Sequence, residues 1–305
     1  MANQKVTQLT AATALADDDQ DLVVQNYSTT PVSRRRPLSL LKSTLKTYFD
    51  TLYLSISGTP LLPISVVDGL TLSNNGTDAV NDLDVAAGKA VDSGGTENMV
   101  LVGSITKRLD AAWSVGTNQG GLDTGTKATN TWYHIWLIKR TDTGVVDVLF
   151  STSPTAPTMP TNYTKKRRIG AVRTDGTGIL AFLQFDDTFL FKSPILSIDT
   201  TVLGTTRLFY VIAVPGGIKV EAILNVAALA GSVQQVYISA PDVTDLAPSN
   251  TAAPLSTIIA HSSYYFSAQV RVYTDTSSQI SARSTAASTT FRGAVLGWVD
   301  PRGKW

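Results

Sequence analysis

Hydrophobic residues recur along this chain in two rhythms. Between residues 39 and 53 the rhythm is helical: Leu41, Leu45, Tyr48, Phe49 and Leu52 stand three or four apart and form one apolar stripe, with Ser39 placed to cap the start. An element this small cannot bury the stripe alone, so it is expected to pack on the next domain or on a neighbouring subunit. A short strand over residues 22–27 precedes it, reached through the acidic turn Asp17-Asp18-Asp19 and followed by a polar loop with Pro31 and then by Arg34-Arg35-Arg36. Residues 57–66 hold Gly58, Pro60 and Pro63 and read as a linker.

Beyond the linker the helical rhythm disappears. Residues 132–140 are apolar on both alternating sets until a charged end, which suits a central strand covered on both faces. The turn Thr141-Asp142-Thr143-Gly144 joins it to a second strand over 145–151. Residues 165–172 and 179–186 are expected to pair across the turn at 174–178. Further strands are expected over 207–214 and 218–226, flanking Pro215-Gly216-Gly217, and over 233–240. In 264–273, Tyr264, Phe266, Ala268, Val270 and Val272 alternate with Tyr265, Ser267, Gln269, Arg271 and Tyr273, the signature of a half-buried strand with one wetter face. A last strand over 291–299 must end before Pro301, which cannot donate to a ladder. Strands at this spacing predict a mainly β chain: an N-terminal strand-loop-helix element over 1–56, then two antiparallel, jelly-roll-like β-sandwich domains, 67–198 and 199–305.

Composition narrows the chemistry. Charged residues make up 16% of the 305 residues, well below the usual quarter, and the net charge is +1. No global field gathers nucleic acid, so neither a nucleic-acid partner nor a membrane-inserted one is expected. There are no cysteines and two histidines, which excludes disulfides and thiolate chemistry and makes a His-rich metal site improbable. No apolar run reaches 18 residues and the N-terminus lacks a signal-peptide core, so synthesis and assembly in a cytoplasm are expected.

The local constellations read blandly. Asp17, Asp18 and Asp19 lack calcium-loop spacing and suit a solvated turn or a docking contact. Arg34, Arg35 and Arg36 suit a contact between copies or with an acidic partner surface. The run Lys165-Lys166-Arg167-Arg168 has no interleaved aromatics and suits a loop rim or a subunit contact. Trp113, Trp132, Tyr133 and Trp136 are candidates for a sugar-stacking platform, although aromatics in central strands usually build a core. The loop over 116–125 is a better polar contact surface. Asp84, Asp92, Asp147, Asp186 and Asp187 are the carboxylates open to a catalytic pair, with Asp147 expected on an exposed face, and Glu97 and Glu221 are the only glutamates. His134, mid-strand, is expected to be a packed histidine. No nucleophile elbow, P-loop or H-E-x-x-H motif is present. No enzyme activity, cofactor or metal is expected.

Three stretches resemble bacteriophage tail fibre and virion appendage proteins. At the C-terminal end, Gly297-Trp298, Asp300 and Arg302-Gly303 resemble the GW-D-RG endings of such proteins. The N-terminal match comprises Asp17, Asp18 and Asp19, residues 22–26 and residues 40–48, a turn-strand and helix resembling a virion-attachment module. The middle match comprises residues 69–74, 82–88, 106–110, 120–125 and 132–150, while 199–290 is matched only in style. The resemblance implies a structural or adhesive virion protein, commonly a homotrimer, anchored through its N-terminus to other tail or head proteins and meeting a host-surface glycan or protein. It carries over no catalytic residue. The chain departs from long tailspikes in lacking a β-helix repeat and a coiled-coil shaft. On this reading Asp17, Asp18, Asp19, Arg34, Arg35, Arg36, Leu41, Leu45, Tyr48 and Phe49 serve attachment and assembly, and Tyr264, Tyr265, Tyr273, Trp298 and Trp305 are the candidate host contacts. The alternatives are a virion adaptor or decoration protein without host contact and a glycan-degrading tailspike-type enzyme.

Overall fold

The computed structural model describes residues 20–25, 32–52 and 61–304. They fall into two compact units, divided after Pro60. In the first unit, β1 (Gln20–Gln25) and β2 (Val32–Pro37) pair antiparallel, with Val23 opposite Arg34 and Leu22 opposite Arg35. The arginine triplet therefore lies in a strand. Helix α1 (Leu38–Leu52) follows directly, so Ser39 sits inside its first turn rather than at the cap. Leu41 is half-buried and Leu45 exposed. Asp17, Asp18 and Asp19, and the side chains of Arg34, Arg35, Arg36, Tyr48 and Phe49, lie outside the described residues.

The second unit is built from strands. They are β3 (Val67–Gly69), β4 (Leu72–Asn74), β5 (Asp82–Val85), β6 (Gly88–Val91), β7 (Asn98–Leu101), β8 (Ile105–Ala112) and β9 (Gln119–Leu122). Next come β10 (Trp132–Arg140), β11 (Val146–Ser151), β12 (Tyr163–Arg173), β13 (Phe182–Phe185), β14 (Thr188–Leu203) and β15 (Leu208–Val211). The last are β16 (Glu221–Leu229), β17 (Gln234–Ser239), β18 (Ile258–Ala260), β19 (Phe266–Tyr273), β20 (Gln279–Ser284) and β21 (Thr289–Val299). The protein is mainly β, in several sheets that include a curled half-barrel. A seven-stranded sheet runs β12-β10-β11-β9-β8-β5-β4, a five-stranded one β13-β14-β21-β16-β19, a four-stranded one β15-β20-β17-β18 and a small one β3-β6-β7. Pairing is antiparallel except around β9, which runs parallel to both β8 and β11.

The apolar doubling of β10 has the expected consequence. Tyr133, Ile135 and Leu137 enter the main core, while Trp136 and Ile138 build a smaller cluster with Leu149 and Tyr163. The hairpin β10–β11 forms where its turn residues place it, with Trp136 opposite Leu149. The pair expected across 174–178 does not form. A single bridge, Thr174 to Ile179, survives there, and the chain passes from β12 in one sheet to β13 in another. Asp175 shapes that passage by accepting from the amides of Thr177 and Gly178.

Residues 61–304 pack as one unit. The boundary expected at 198/199 falls inside β14, and one apolar cluster runs from Leu70, Leu72 and Leu83 through to Phe291, Val295 and Trp298. The seam between the halves is aromatic. Trp298 on β21 stacks on Phe189 of β14 (5.2 Å between centroids, 6° between planes) and meets the edge of Trp132 on β10 at 5.0 Å. Gly297 permits this approach, because a Cβ there would lie 2.0 Å from the Phe189 carbonyl oxygen. Of the expected linker, residues 57–60 lie outside the described residues. Residues 61–66 belong to the second unit, where the Leu62 amide donates to Asn98 Oδ1 at 3.0 Å.

Candidate functional site

The outer edge of the five-stranded sheet gathers the most exposed aromatic surface among the expected contact residues. β19 pairs only with β16, so its other edge is open. Val272 is buried and Ala268 and Val270 are half-buried, whereas Ser267, Gln269, Arg271 and Tyr273 face outward. At the start of the strand, Tyr264 (68% exposed), Tyr265 and Phe266 form an apolar shelf. The His261 ring lies 6.0 Å from those of both Tyr264 and Phe266. Arg292 fixes Tyr265 by donating through Nη1 to its hydroxyl at 3.0 Å, with the guanidinium 5.3 Å from the ring centroid. Arg292 Nε in turn donates to Asp199 Oδ1 at 2.9 Å. Asn225, Ser267, Gln269 and Ala294 floor a shallow depression of about 360 Å³ that Arg292 also lines. Aromatic faces beside amide and hydroxyl groups suit a polar ligand that carries apolar patches, and a rigid sheet holds them in place.

The predicted contact residues divide. Tyr264 and Tyr265 stand together on the shelf. Tyr273 is exposed at the other end of β19, about 23 Å from Phe266 at the usual strand rise. Trp298 is corrected: it is 1% exposed and belongs to the core, because its strand sits between β14 and β16 with its indole turned onto Phe189. Trp305 lies outside the described residues. His261, Phe266 and Arg292 were not anticipated. The unbroken run Tyr264-Tyr265-Phe266 after a nearby histidine carried the signal for the first two, whereas Arg292 reaches the shelf only through sheet pairing.

The proposed stacking platform is mostly core. Trp132 is partly buried, and Tyr133 and Trp136 are buried. Trp113 is also partly buried: its Nε1 donates to the Val148 carbonyl at 3.0 Å and its ring meets Tyr163 edge-on at 5.0 Å. With Asp123, Arg140 and Met159 it lines an open groove of about 610 Å³. The loop expected over 116–125 contains β9, with Gly120, Gly121 and Leu122 buried. Asp147 is likewise corrected. It is buried against Lys107 (3.2 Å) and accepts the Gly116 amide at 2.7 Å, so the pair pins the start of that loop. Burial lowers the Lys107 pKa while the Asp147 charge opposes the shift.

Three of the other candidate carboxylates are engaged in structure. Asp84 accepts from Thr106 and Asn75, Asp92 from the amides of Gly94, Thr96 and Glu97, and Asp187 from Lys304. Among the described residues no group of three or more His, Asp or Glu side chains is placed to hold a metal ion, and no helix is long and apolar enough to cross a membrane.

His134 is packed, and its titration gives a stability prediction. Burial holds its pKa at about 3, with the Arg168 charge acting in the same direction. In the unfolded chain the same group titrates near 6.5. Between these values the unfolded state binds the extra proton, so stability falls as pH drops through the window, by up to about 1.4 kcal/mol per pH unit from this group. Above the upper value it contributes no slope. Unfolding free energies measured from neutral pH downward are expected to show this decline, and His134→Gln is expected to flatten it.

The basic run is the largest departure from the sequence reading. It lies within β12, and Arg167 (0% exposed) and Arg168 (3%) are buried beneath the C-terminal segment. Arg168 donates through both Nη atoms to the Asp300 carboxylate at 2.7–2.8 Å. Arg302 donates from Nε to the Ile169 carbonyl (2.9 Å) and from Nη2 to the Leu70 carbonyl (2.8 Å), while Arg167 Nε donates to the Arg302 carbonyl (3.1 Å). Residues 300–304 are thereby stitched along the outer edge of β12, just past the point where Pro301 was expected to stop the strand.

No protein-family model, no curated protein and no solved structure matches the chain.

Proposed function

We propose that this chain is a structural, adhesive subunit of a phage tail fibre or appendage. In this reading the N-terminal element, residues 1–56, attaches it to other virion proteins, and sandwich-like packing of the sheets beyond residue 66 carries the host contact. The observation that carries the reading is the exposed shelf of Tyr264, Tyr265 and Phe266 beside a shallow depression of mixed polar and apolar lining, at the edge of a sheet. The engagement of Asp84, Asp92, Asp147 and Asp187 in structural bonds supports binding over hydrolysis. Val202, Phe209 and Val211, exposed on β14 and on the outer strand β15, support association of copies. Joining several weak contacts on one particle gives avidity far beyond that of one site.

The test is the native mass of the full chain together with a pull-down on cells of the bacterium that hosts the particle. A three-chain species that binds cells is the expected result. A monomer that binds none contradicts the reading and favours the adaptor.

A further inference from the structure

A second pocket, of about 450 Å³, opens beside the buried arginines, walled by Ser93, Trp136, Thr155, Arg168, Lys219 and Gly303 among others. Its chemistry is cationic and incompletely satisfied. Arg168 gives both Nη atoms to Asp300, yet its Nε is buried without an acceptor. Arg167 gives only Nε to the Arg302 carbonyl, and both its Nη atoms are buried and unpartnered. Gly303 forms the seam between Arg167 and the pocket: it has a φ of +66°, and a Cβ there would sit 3.2 Å from Arg167 Nε.

The nearby negative charge is already engaged. Asp300 serves Arg168 and also accepts the Arg302 amide. Asp187 accepts from Lys304 through Oδ2 and faces Arg302 at 3.8 Å through Oδ1, and the Asp92 oxygens accept from Gly94, Thr96 and Glu97. Lys166 adds charge at the pocket, donating to the Thr155 carbonyl at 3.0 Å with its ammonium 5.4 Å from the Trp136 ring centroid. Lys219 is paired with Asp242, but both are more than half exposed, a geometry in which the pair holds the ammonium weakly. Buried donors without acceptors are rare in native proteins, and guanidinium groups are the preferred partners of carboxylate and phosphate.

We propose that this pocket binds an anionic group, a phosphate or a carboxylate, with Arg168 and Lys219 as its charged wall and Trp136 as its apolar one. The assignment is independent of the adhesive reading. The group arrives either as free phosphate or as the acidic substituent of a saccharide.

The test follows the thermal midpoint of the full chain against inorganic phosphate, glucuronate and glucose, with sodium chloride at matched ionic strength as the control. Phosphate and glucuronate are expected to raise the midpoint saturably, and glucose is not. Lys219→Glu, an exposed substitution, is expected to weaken the apparent affinity by about tenfold or more by placing like charge at the site, and Lys219→Gln by less. A stronger effect of glucuronate than of phosphate assigns the anion to a sugar ring, and the reverse order assigns it to free phosphate. The proposal is overturned if neither anion exceeds the chloride control, or if Lys219→Glu responds like the wild type.

Discussion

Asp300→Asn is expected to destabilise the protein by about 3–5 kcal/mol, the cost typical of breaking a buried ion pair by removing one partner. The Arg168 guanidinium is 3% exposed and directs both Nη atoms at the Asp300 carboxylate, which is itself 0% exposed. Burial lowers the Arg168 pKa, and the Asp300 charge and hydrogen bonds oppose that shift. Asparagine keeps one acceptor but removes the charge, and an amide cannot receive both Nη groups in the same fork. The substitution also weakens the bond from the Arg302 amide to Asp300 Oδ1 (2.7 Å), which holds residues 300–304 against β12. Urea unfolding of the variant is expected to give a much lower midpoint. The double variant Asp300→Asn with Arg168→Met is expected to recover part of the loss, since it removes the stranded charge. A midpoint equal to that of the wild type shows that the pair does not hold the C-terminal segment.

Trp298→Ala is expected to cost a similar amount, about 3–5 kcal/mol, by emptying the centre of the aromatic seam. Phe189 loses its stacked partner, and Trp132 and Phe191 lose the ring they lean on. These residues come from β10, β14 and β21, so the cavity would loosen the packing between the seven-stranded and five-stranded sheets. By contrast Tyr264→Ala, at an exposed ring, is expected to stay within about 0.5 kcal/mol of the wild type. Measured side by side by chemical denaturation, the two substitutions separate core from contact surface. Comparable losses contradict the burial pattern.

The sequence made legible what depends on local patterning. The doubly apolar run of β10, its turn at 141–144, the alternation in β19 and the stop at Pro301 all follow from neighbours in the chain. Charge misled. Lys165, Lys166, Arg167 and Arg168 look like a solvated run, but two of them are buried because the C-terminal segment, more than 130 residues later, supplies Asp300 and the Arg302 carbonyl. Asp147 alternates like an exposed residue, yet Lys107 reaches it across the sheet. Trp298 looks available because it lies near the end of the chain, and is buried because β21 is a middle strand of its sheet. The contact shelf was half legible: Tyr264 and Tyr265 could be named, but the depression beside them is lined from β14, β16, β19 and β21 together. In each of these cases the missing information was a long-range partner, which hydrophobic periodicity does not encode.

The most direct test of the adhesive account compares host-cell binding by the full chain and by its Tyr264→Ala, Tyr265→Ala double variant, after confirming equal native mass and equal urea midpoints. The account predicts that the variant keeps its mass and fold and loses most of its cell binding. Undiminished binding by the folded double variant would contradict the assignment of the β19 edge as the host-contact surface.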